Sequence, residues 1–497
     1  MWVSPRNPLF LYVIWHITWK FIKFGVTCAC QLKISQNHTL MNKTFFNWLS
    51  IAALALGAFA CQTDYNTPET ASDPRGEEYT VTAPAEISDS RAMDLTASHQ
   101  QFAGRLASEI AHPGQNMVFS PLSIYNFMAM LANGADGQTL DQIIKMLGAK
   151  SNDEVVALCR RQFDSFAAIE ARNQEFPEPD WSTLIPDDYP DPERYKEELM
   201  ESYESMLSSL TKVALANSIW YDASKVGTPY QSYIDECKQW LNAEAMVTDF
   251  NTITPSAINQ WASDVTNGLI PSIVNKFGPI PTDIVCVNAL YLNIQWWGGF
   301  SVGEEKLEFT NSDGTKSKVT SLKNESDYEY GETADAHFIK LPLGALAEQM
   351  TYTIILPKGD GVDASAMLSP GVIPSMEKEL ISLTMPEFEV ESDHTFEMKS
   401  ALESLGLVDV FDDDKANFSR MGSFKFNVEQ VAHKAKIHVS EFGIEAAAAT
   451  ADDWFSSPGP GFEKPQPKVI NVDRPFAFRI TDNATGMVLF IGTVNRL

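Results

Sequence analysis

The run Glu-Phe-Gly-Ile-Glu-Ala-Ala-Ala-Ala-Thr-Ala-Asp-Asp-Trp-Phe-Ser-Ser-Pro over residues 441–458 constrains this chain more than any other stretch. It follows an alternating segment, Ala435-Lys-Ile-His-Val-Ser440, that reads as a strand. A loop rich in Pro, Gly and Lys comes next, and then another strand. Four consecutive alanines are out of place there, because alanine favours helix and disfavours sheet. A segment with no strong preference of its own, held between two strands, is able to occupy more than one state.

The chain has 497 residues, 44% of them hydrophobic and 21% charged, an ordinary globular balance. That length admits two or three domains or one long fold. The formal charge is −28. The first 60 residues hold five basic side chains (Arg6, Lys20, Lys23, Lys33, Lys43) and no acidic one, which leaves 32 basic against 65 acidic residues in the rest. So acidic a surface repels nucleic acid and anionic membranes, and argues against DNA or RNA as a partner.

Composition changes abruptly at residue 61. From Met41 the chain runs through a short basic start, an apolar stretch and Ala58-Phe59-Ala60 to Cys61. This resembles a bacterial lipoprotein signal peptide, with residues 1–60 as leader and Cys61 as the lipidated residue. An ordinary secretory signal with an incidental cysteine is the alternative. The apolar run is short for a membrane span. Residues 1–40 carry a second aromatic and basic stretch, and Met41 is read as the true start, with an N-terminal anchor as the other reading. Residues 61–92, rich in Thr, Asp, Glu, Pro and Ser, read as a disordered tether. Beyond Cys61 only Cys159, Cys237 and Cys286 remain, an odd number that argues against a disulfide framework. No CxxC and no ligand-spaced histidine pair suggests a metal, and no cofactor is expected.

A helical pattern begins near Asp94, with Leu95, Phe102, Leu106 and Ile110 on one face. Residues 116–139 read as a short strand, a Ser-Pro helix start, an apolar helix and a Gly-rich turn. Further segments then line up: Ala214-Leu-Ala-Asn-Ser-Ile-Trp220; Asn259-Gln-Trp261 with Thr266 and Gly268; Val287-Asn-Ala-Leu-Tyr-Leu-Asn-Ile-Gln-Trp-Trp297 with Phe300; Leu341-Pro342 and Ile355-Leu-Pro357 around a hairpin; Pro386-Glu-Phe-Glu-Val390; Leu405-Gly406 and Asn417-Phe-Ser419; Arg474-Pro-Phe-Ala-Phe-Arg-Ile480 and Val488-Leu-Phe-Ile-Gly-Thr-Val494. In this order, over residues 93–497, they resemble the serpin family. The departure is an acidic, Pro-rich segment at about 172–196, read as a solvated surface insertion between two helices, or as a loop that docks a partner.

The resemblance implies an α+β serpin fold: three β-sheets, eight to nine helices and an exposed reactive-centre loop, here about 441–470. It also implies a monomer, not an enzyme, that traps serine proteases and sometimes cysteine proteases. The protease attacks the loop and forms an acyl-enzyme. The freed hinge side then enters the central sheet as a new strand and drags the protease with it, by about 17 residues at ~3.3 Å each, roughly 55 Å. Strand insertion of this kind releases stored strain.

The hinge corresponds to Glu441, Gly443, Ile444, Glu445, Ala446, Ala447, Ala448, Ala449 and Thr450. Gly443 changes backbone conformation at no steric cost. Alternation turns Ile444, Ala446, Ala448, Thr450, Asp452 and Trp454 inward, and Glu445, Ala447, Ala449, Ala451 and Asp453 outward. Ile444 replaces the family's usual Thr or Ser, and an inward Asp452 is costly unless it finds a partner. The family's spacing implies a scissile bond at Ser456-Ser457, with Phe455-Ser456 as the alternative, Trp454-Phe455 a more distant one, and Ser457-Pro458 disfavoured by the proline. The partner is then an elastase-, subtilisin- or chymotrypsin-like enzyme. Ser120, Ser123, Asn288 and His433 match the polar cluster beneath the opening sheet (the shutter), and Trp296 and Lys434 the place of first loop entry (the breach). A non-inhibitory serpin acting as a binding or carrier protein is the competing reading. The expected location is a bacterial cell envelope, lipid-anchored and touching membrane only through that anchor, or the extracellular medium.

Overall fold

A serine opens each of three long helices in the first part of the chain. Ser88, Ser120 and Ser151 accept the backbone N–H of Arg91, Ser123 and Glu154, satisfying donors that a helix start leaves free. They begin α1 (Asp89–Ile110), α2 (Pro121–Gly134) and, after α3 (Gly137–Leu147), α4 (Asn152–Asn173). The computed structural model describes residues 86–444 and 466–497, with 81 and 84, except 177, 186–189, 223–226, 228, 250–254, 266–270, 273–283, 345, 360–361, 363, 369–372, 395–396 and 430.

Helix α1 starts five residues before the expected point, inside the stretch read as tether. Ser88 supplies the cap, and Ala92 is already buried. Leu95, Phe102, Leu106 and Ile110 are all buried, as the periodicity requires. Every residue of α2 is buried, so this mostly apolar helix is covered on all sides and takes Ser123, Asn126 and Asn133 inside with it. The remaining helices are α5 (Trp181–Leu184), α6 (Pro192–Ser209), α7 (Gln231–Leu241), α8 (Pro255–Val265) and α9 (Met398–Ser404).

The strands are β1 (Met117–Phe119), β2 (Lys212–Asp222), β3 (Ala243–Thr248), β4 (Ile284–Gln295), β5 (Ser301–Val302), β6 (Leu307–Thr310), β7 (Lys316–Val319), β8 (Ser321–Glu332), β9 (Ala336–Leu343), β10 (Met350–Pro357), β11 (Glu377–Pro386), β12 (Phe388–Asp393), β13 (Val431–Val439), β14 (Gly443–Ile444), β15 (Lys468–Asn471), β16 (Phe476–Asp482) and β17 (Val488–Val494). Among the described residues they form three sheets. One has six strands in the order β12-β13-β14-β4-β2-β3; one has nine, β1-β17-β16-β10-β9-β8-β11-β15 with β5 on β8; the third is the β6-β7 hairpin. Among the described residues, nine α-helices and three sheets make an α+β architecture.

The chain divides into two units, the larger of Pro68–Phe176 and Met206–Leu497. Its core lies between the two large sheets. Phe388 of β12 meets Phe476 and Phe478 of β16 at 5.7 and 5.9 Å, and Tyr352 of β10 stacks on Phe478 at 5.4 Å. All of β17 is buried, so it reads as a continuous apolar run and not as an alternation.

The smaller unit takes in Pro177–Ser205. It holds much of the acidic insertion, and this is more helical than the solvated loop expected. Trp181 at the head of α5 donates its indole N–H to Glu178 at 2.7 Å and packs edge-on against Tyr203 at 5.5 Å. Among the described residues no helix is long and apolar enough to cross a membrane.

Candidate functional site: the junction of β4, β13 and β14

Strands β4 and β13 lie parallel. Among the described residues their ladder is confined to one end, where Val431, Ala432 and His433 pair with Cys286, Val287 and Asn288. At the other end β14 stands between them. Ile444 pairs antiparallel with Val439 on one side and with Ile294 on the other. The two strands form a wedge, closed at His433 and held open at Ile444. Five residues of each, 434–438 and 289–293, span the interval, about 17 Å of strand.

The open end is built from a tight turn. The Ser440 N–H donates to the Gly443 carbonyl at 2.9 Å, bringing the chain back on itself. Two backbone donors from beyond β4 grip the turn: Trp296 to the Phe442 carbonyl at 3.1 Å and Phe300 to the Glu441 carbonyl at 3.0 Å. The Trp296 indole N–H adds a bond to the Ser440 carbonyl at 2.8 Å. Trp296 is itself wedged edge-on between Phe300 (5.3 Å) and Tyr352 (5.5 Å). Gly443 has φ of 152°. A Cβ there would stand 2.1 Å from the Ile294 carbonyl oxygen. Both the backbone angle and the close approach therefore require glycine. Ile444 is 1% exposed and belongs to the core.

The closed end is a buried polar cluster. The Ser120 N–H donates to Nε2 of His433 at 3.1 Å, and His433 gives its own carbonyl to the His394 N–H at 2.9 Å. Phe119 packs edge-on against both rings, at 6.4 Å from His394 and 6.2 Å from His433. Burial pushes His433 down to about 3, so the ring is neutral. With Nε2 accepting, its proton sits on Nδ1. The structure thus brings Ser120, Ser123 and His433 together, with the backbone of Asn288 opposite His433; the side chain of Asn288 lies outside the described residues.

Lys434 belongs to this closed end and not beside Trp296. It follows His433 directly and lies five residues from Val439, roughly 16 Å along the strand. Alternation points its side chain away from the core, where it pairs with Glu391 at 3.1 Å. It is one of three such pairs that composition did not reveal. Lys436 meets Glu389 at 3.1 Å and His438 lies 3.8 Å from Glu387, so in these three pairs the basic side chains are on β13 and the carboxylates come from Glu387 and β12. The signal was present as Lys-x-Lys-x-His facing Glu-x-Glu-x-Glu, but only strand pairing puts the two runs side by side.

Glu445, Ala446, Ala447, Ala448, Ala449 and Thr450, the candidate scissile residues Phe455, Ser456, Ser457 and Pro458, and Cys61 lie outside the described residues. Cys159 and Cys237 are free and buried, and burial raises both thiols, Cys237 to about 12. Among the described residues no group of three His, Cys, Asp or Glu is placed to hold a metal.

A six-stranded sheet with a strand entering between two parallel neighbours, packed on a larger sheet and ringed by helices, defines a class. A family model, "Serpin (serine protease inhibitor)", matches residues 97–497, and the chain belongs to the serpin family. Most members of that family are protease inhibitors and not enzymes. The chain is similar to putative serpin-Z5 of Oryza sativa subsp. japonica, 27% identical over 77% of this chain and 85% of that one. It is also similar to the thermophilic serpin Tengpin in its native state (25% identity, TM-score 0.65, 84% of this chain and 96% of that one). Thyroxine-binding globulin complexed with thyroxine shares the fold at 20% identity and TM-score 0.60, over 81% of this chain and 99% of that one.

Proposed function

We propose that this protein is a suicide inhibitor of extracellular serine proteases. The observation that carries the reading is β14: the hinge residues Gly443 and Ile444 stand as a strand between β4 and β13, at the open end of the wedge. Fold alone does not carry it, because thyroxine-binding globulin shares the fold.

The protease serine attacks a loop carbonyl, the amide bond breaks, and the amine side leaves with the proton delivered by the protease histidine. The hinge side stays attached to the enzyme as an ester. Continuing from Ile444, residues 445–449 occupy the interval already flanked by β4 and β13. Thr450 then separates His433 from Asn288, which is where the closed end must part. The first eight positions after Gly443 supply Ile, Glu, four Ala, Thr and Ala, none too large to slide between strands. The Ser120–His433 bond and the β4–β13 ladder hold the sheet shut until cleavage; β4 is long enough to pair residues 443–454. Ser456-Ser457, with Phe455-Ser456 second, is the bond attacked, which selects elastase- or subtilisin-like enzymes first and chymotrypsin-like ones second. Lipid attachment at Cys61 tethers the inhibitor in a bacterial cell envelope, where it guards against foreign proteases.

Titrating a fixed amount of elastase tests the reading. Irreversible loss of activity that extrapolates to a stoichiometric end point supports it; full activity with the loop cut supports a carrier. Cys61→Ala separately tests the anchor, by releasing the protein from the membrane fraction.

A further inference from the structure

Opening the wedge means turning β4, with its partner β2, away from β13. The two strands pair antiparallel from Lys212 opposite Asn293 to Tyr221 opposite Ile284, so the start of β2 lies at the hinge end of β4. Bonds from β4 and the residues that follow it to the nine-stranded sheet gather at that same end. Gly344 donates its N–H to the Gln295 carbonyl at 2.8 Å, Trp297 donates to the Pro342 carbonyl at 3.0 Å, and Trp296 forms a bridge with Leu343. All three reach the end of β9 and the turn that leads into β10.

That turn is locked by Gln349. Its N–H donates to the Leu343 carbonyl at 2.8 Å, and its carbonyl accepts the Asn483 N–H at 3.0 Å, which ties the turn to the one between β16 and β17. Its side chain lies across the turn, since a Cβ on Gly344 would stand 3.0 Å from its Oε1. The same oxygen accepts the Thr211 hydroxyl at 2.5 Å, and both residues are buried. Thr211 directly precedes β2, and its carbonyl accepts the side-chain amide of Asn173, the last residue of α4, at 2.7 Å.

We infer that Gln349 is a positioning residue for loop insertion: with Thr211 it pins the β2–β4 pair at the hinge end and makes that end the pivot about which the pair turns. This rests on the insertion reading above. Apolar packing is non-directional and lets the pair turn, whereas a buried side-chain hydrogen bond fixes a point.

A pair pinned at one end parts at the other. There β4 has its three-residue ladder with β13, and β2 has the Tyr221 hydroxyl on the Met421 sulfur at 3.2 Å, a weak acceptor. Turning about the pin spares the bonds of Trp296 and Phe300 to the hinge turn, and β14 keeps its place between Val439 and Ile294. With the pin cut, β2 and β4 lift at the hinge end too. The entering strand then loses its fixed edge, and deacylation overtakes insertion more often.

The test compares wild type, Thr211→Val, Gln349→Met and the double variant, each mixed with the same protease. It reads the partition between stable complex and cleaved product, the urea midpoint, and hydrogen exchange. Each single variant leaves a buried polar group unpaired and loses stability; the double variant removes both partners and regains it. Partition to complex falls in all three, by roughly two- to tenfold, the scale of one hydrogen bond, and does not recover in the double variant. In that variant the Trp296, Trp297 and Gly344 amides exchange faster, while the Ser120 and His394 amides at the closed end do not. Partition that recovers together with the urea midpoint, or exchange unchanged at Trp296, Trp297 and Gly344, overturns the pivot alone. A wild type that forms no complex overturns the insertion reading and this one with it.

Discussion

Gly443 lies against the backbone of Ile294 so closely that a β-carbon on it would stand 2.1 Å from the Ile294 carbonyl oxygen. No side chain fits there without moving one strand of the sheet. The hinge therefore enters the sheet through a position that only glycine can fill, and the Ile444 side chain follows it into the core.

Gly443→Ala tests that contact. The substitution opposes both the φ of 152° and the close approach, a cost of about 1–3 kcal/mol for strained backbone. The expected outcome is expulsion of β14, seen as faster proteolysis within residues 445–465 and a lower fraction of complex per cleavage. Unchanged proteolysis and partition would show that β14 is not held by this contact.

Trp296→Phe removes the indole N–H that reaches the Ser440 carbonyl at 2.8 Å and leaves that carbonyl without its donor. Leaving a buried acceptor unpaired costs about 1–3 kcal/mol. Denaturant unfolding should show that loss, together with looser protection of the turn amides in hydrogen exchange.

Acid should weaken the native fold through its buried histidines. Burial lowers His433 to about 3 and His99 to about 4, and lowers His394 as well. These rings stay neutral in the fold while the unfolded chain takes up protons below about pH 6.5. Stability is thus full above that pH and falls as pH drops towards the folded values, by up to ~1.4 kcal/mol per pH unit for each ring. His433→Gln keeps an acceptor for the Ser120 N–H and removes one titrating group. Urea midpoints from about pH 7 down to about pH 4.5 should fall less steeply in the variant, across the range where histidine titrates. An identical slope would contradict the assignment.

Ala446→Arg places a charge at the next inward position after Ile444, opposite Ile437 and Leu292 by continuation of the register. Both of those residues are buried. Burying an unpaired guanidinium there stalls insertion, so the variant should be cut as a substrate and form no complex. Inhibition that survived the change would sink the alternation argument.

Much of this site is visible in the chain as written. Gly443 and Ile444 stand out because a glycine and an uncharged β-branched residue precede an alanine run beside an alternating strand, and Ser120-Pro121 announces its helix by local capping chemistry. The misreadings have a common origin in contacts distant along the chain. Sequence alone puts the start of α1 near Asp94, because Ser88 to Met93 look like tether; the fold buries Ala92 and brings Arg91 to Glu154 at 2.6 Å. The family resemblance puts Lys434 at the loop entrance, but a strand rises about 3.3 Å per residue and carries it to the opposite end. The Lys434, Lys436 and His438 ladder depends on register with β12, which no local pattern specifies.

The most direct measurement mixes the intact protein with elastase, subtilisin, chymotrypsin and trypsin, and follows the products by denaturing gel and by heat stability. The account predicts a covalent complex with at least one of the first three that survives SDS, with cleavage at Ser456-Ser457 or Phe455-Ser456. It also predicts a large gain in heat stability of the cleaved protein. Clean cleavage in this segment with no complex and no gain in heat stability would contradict it.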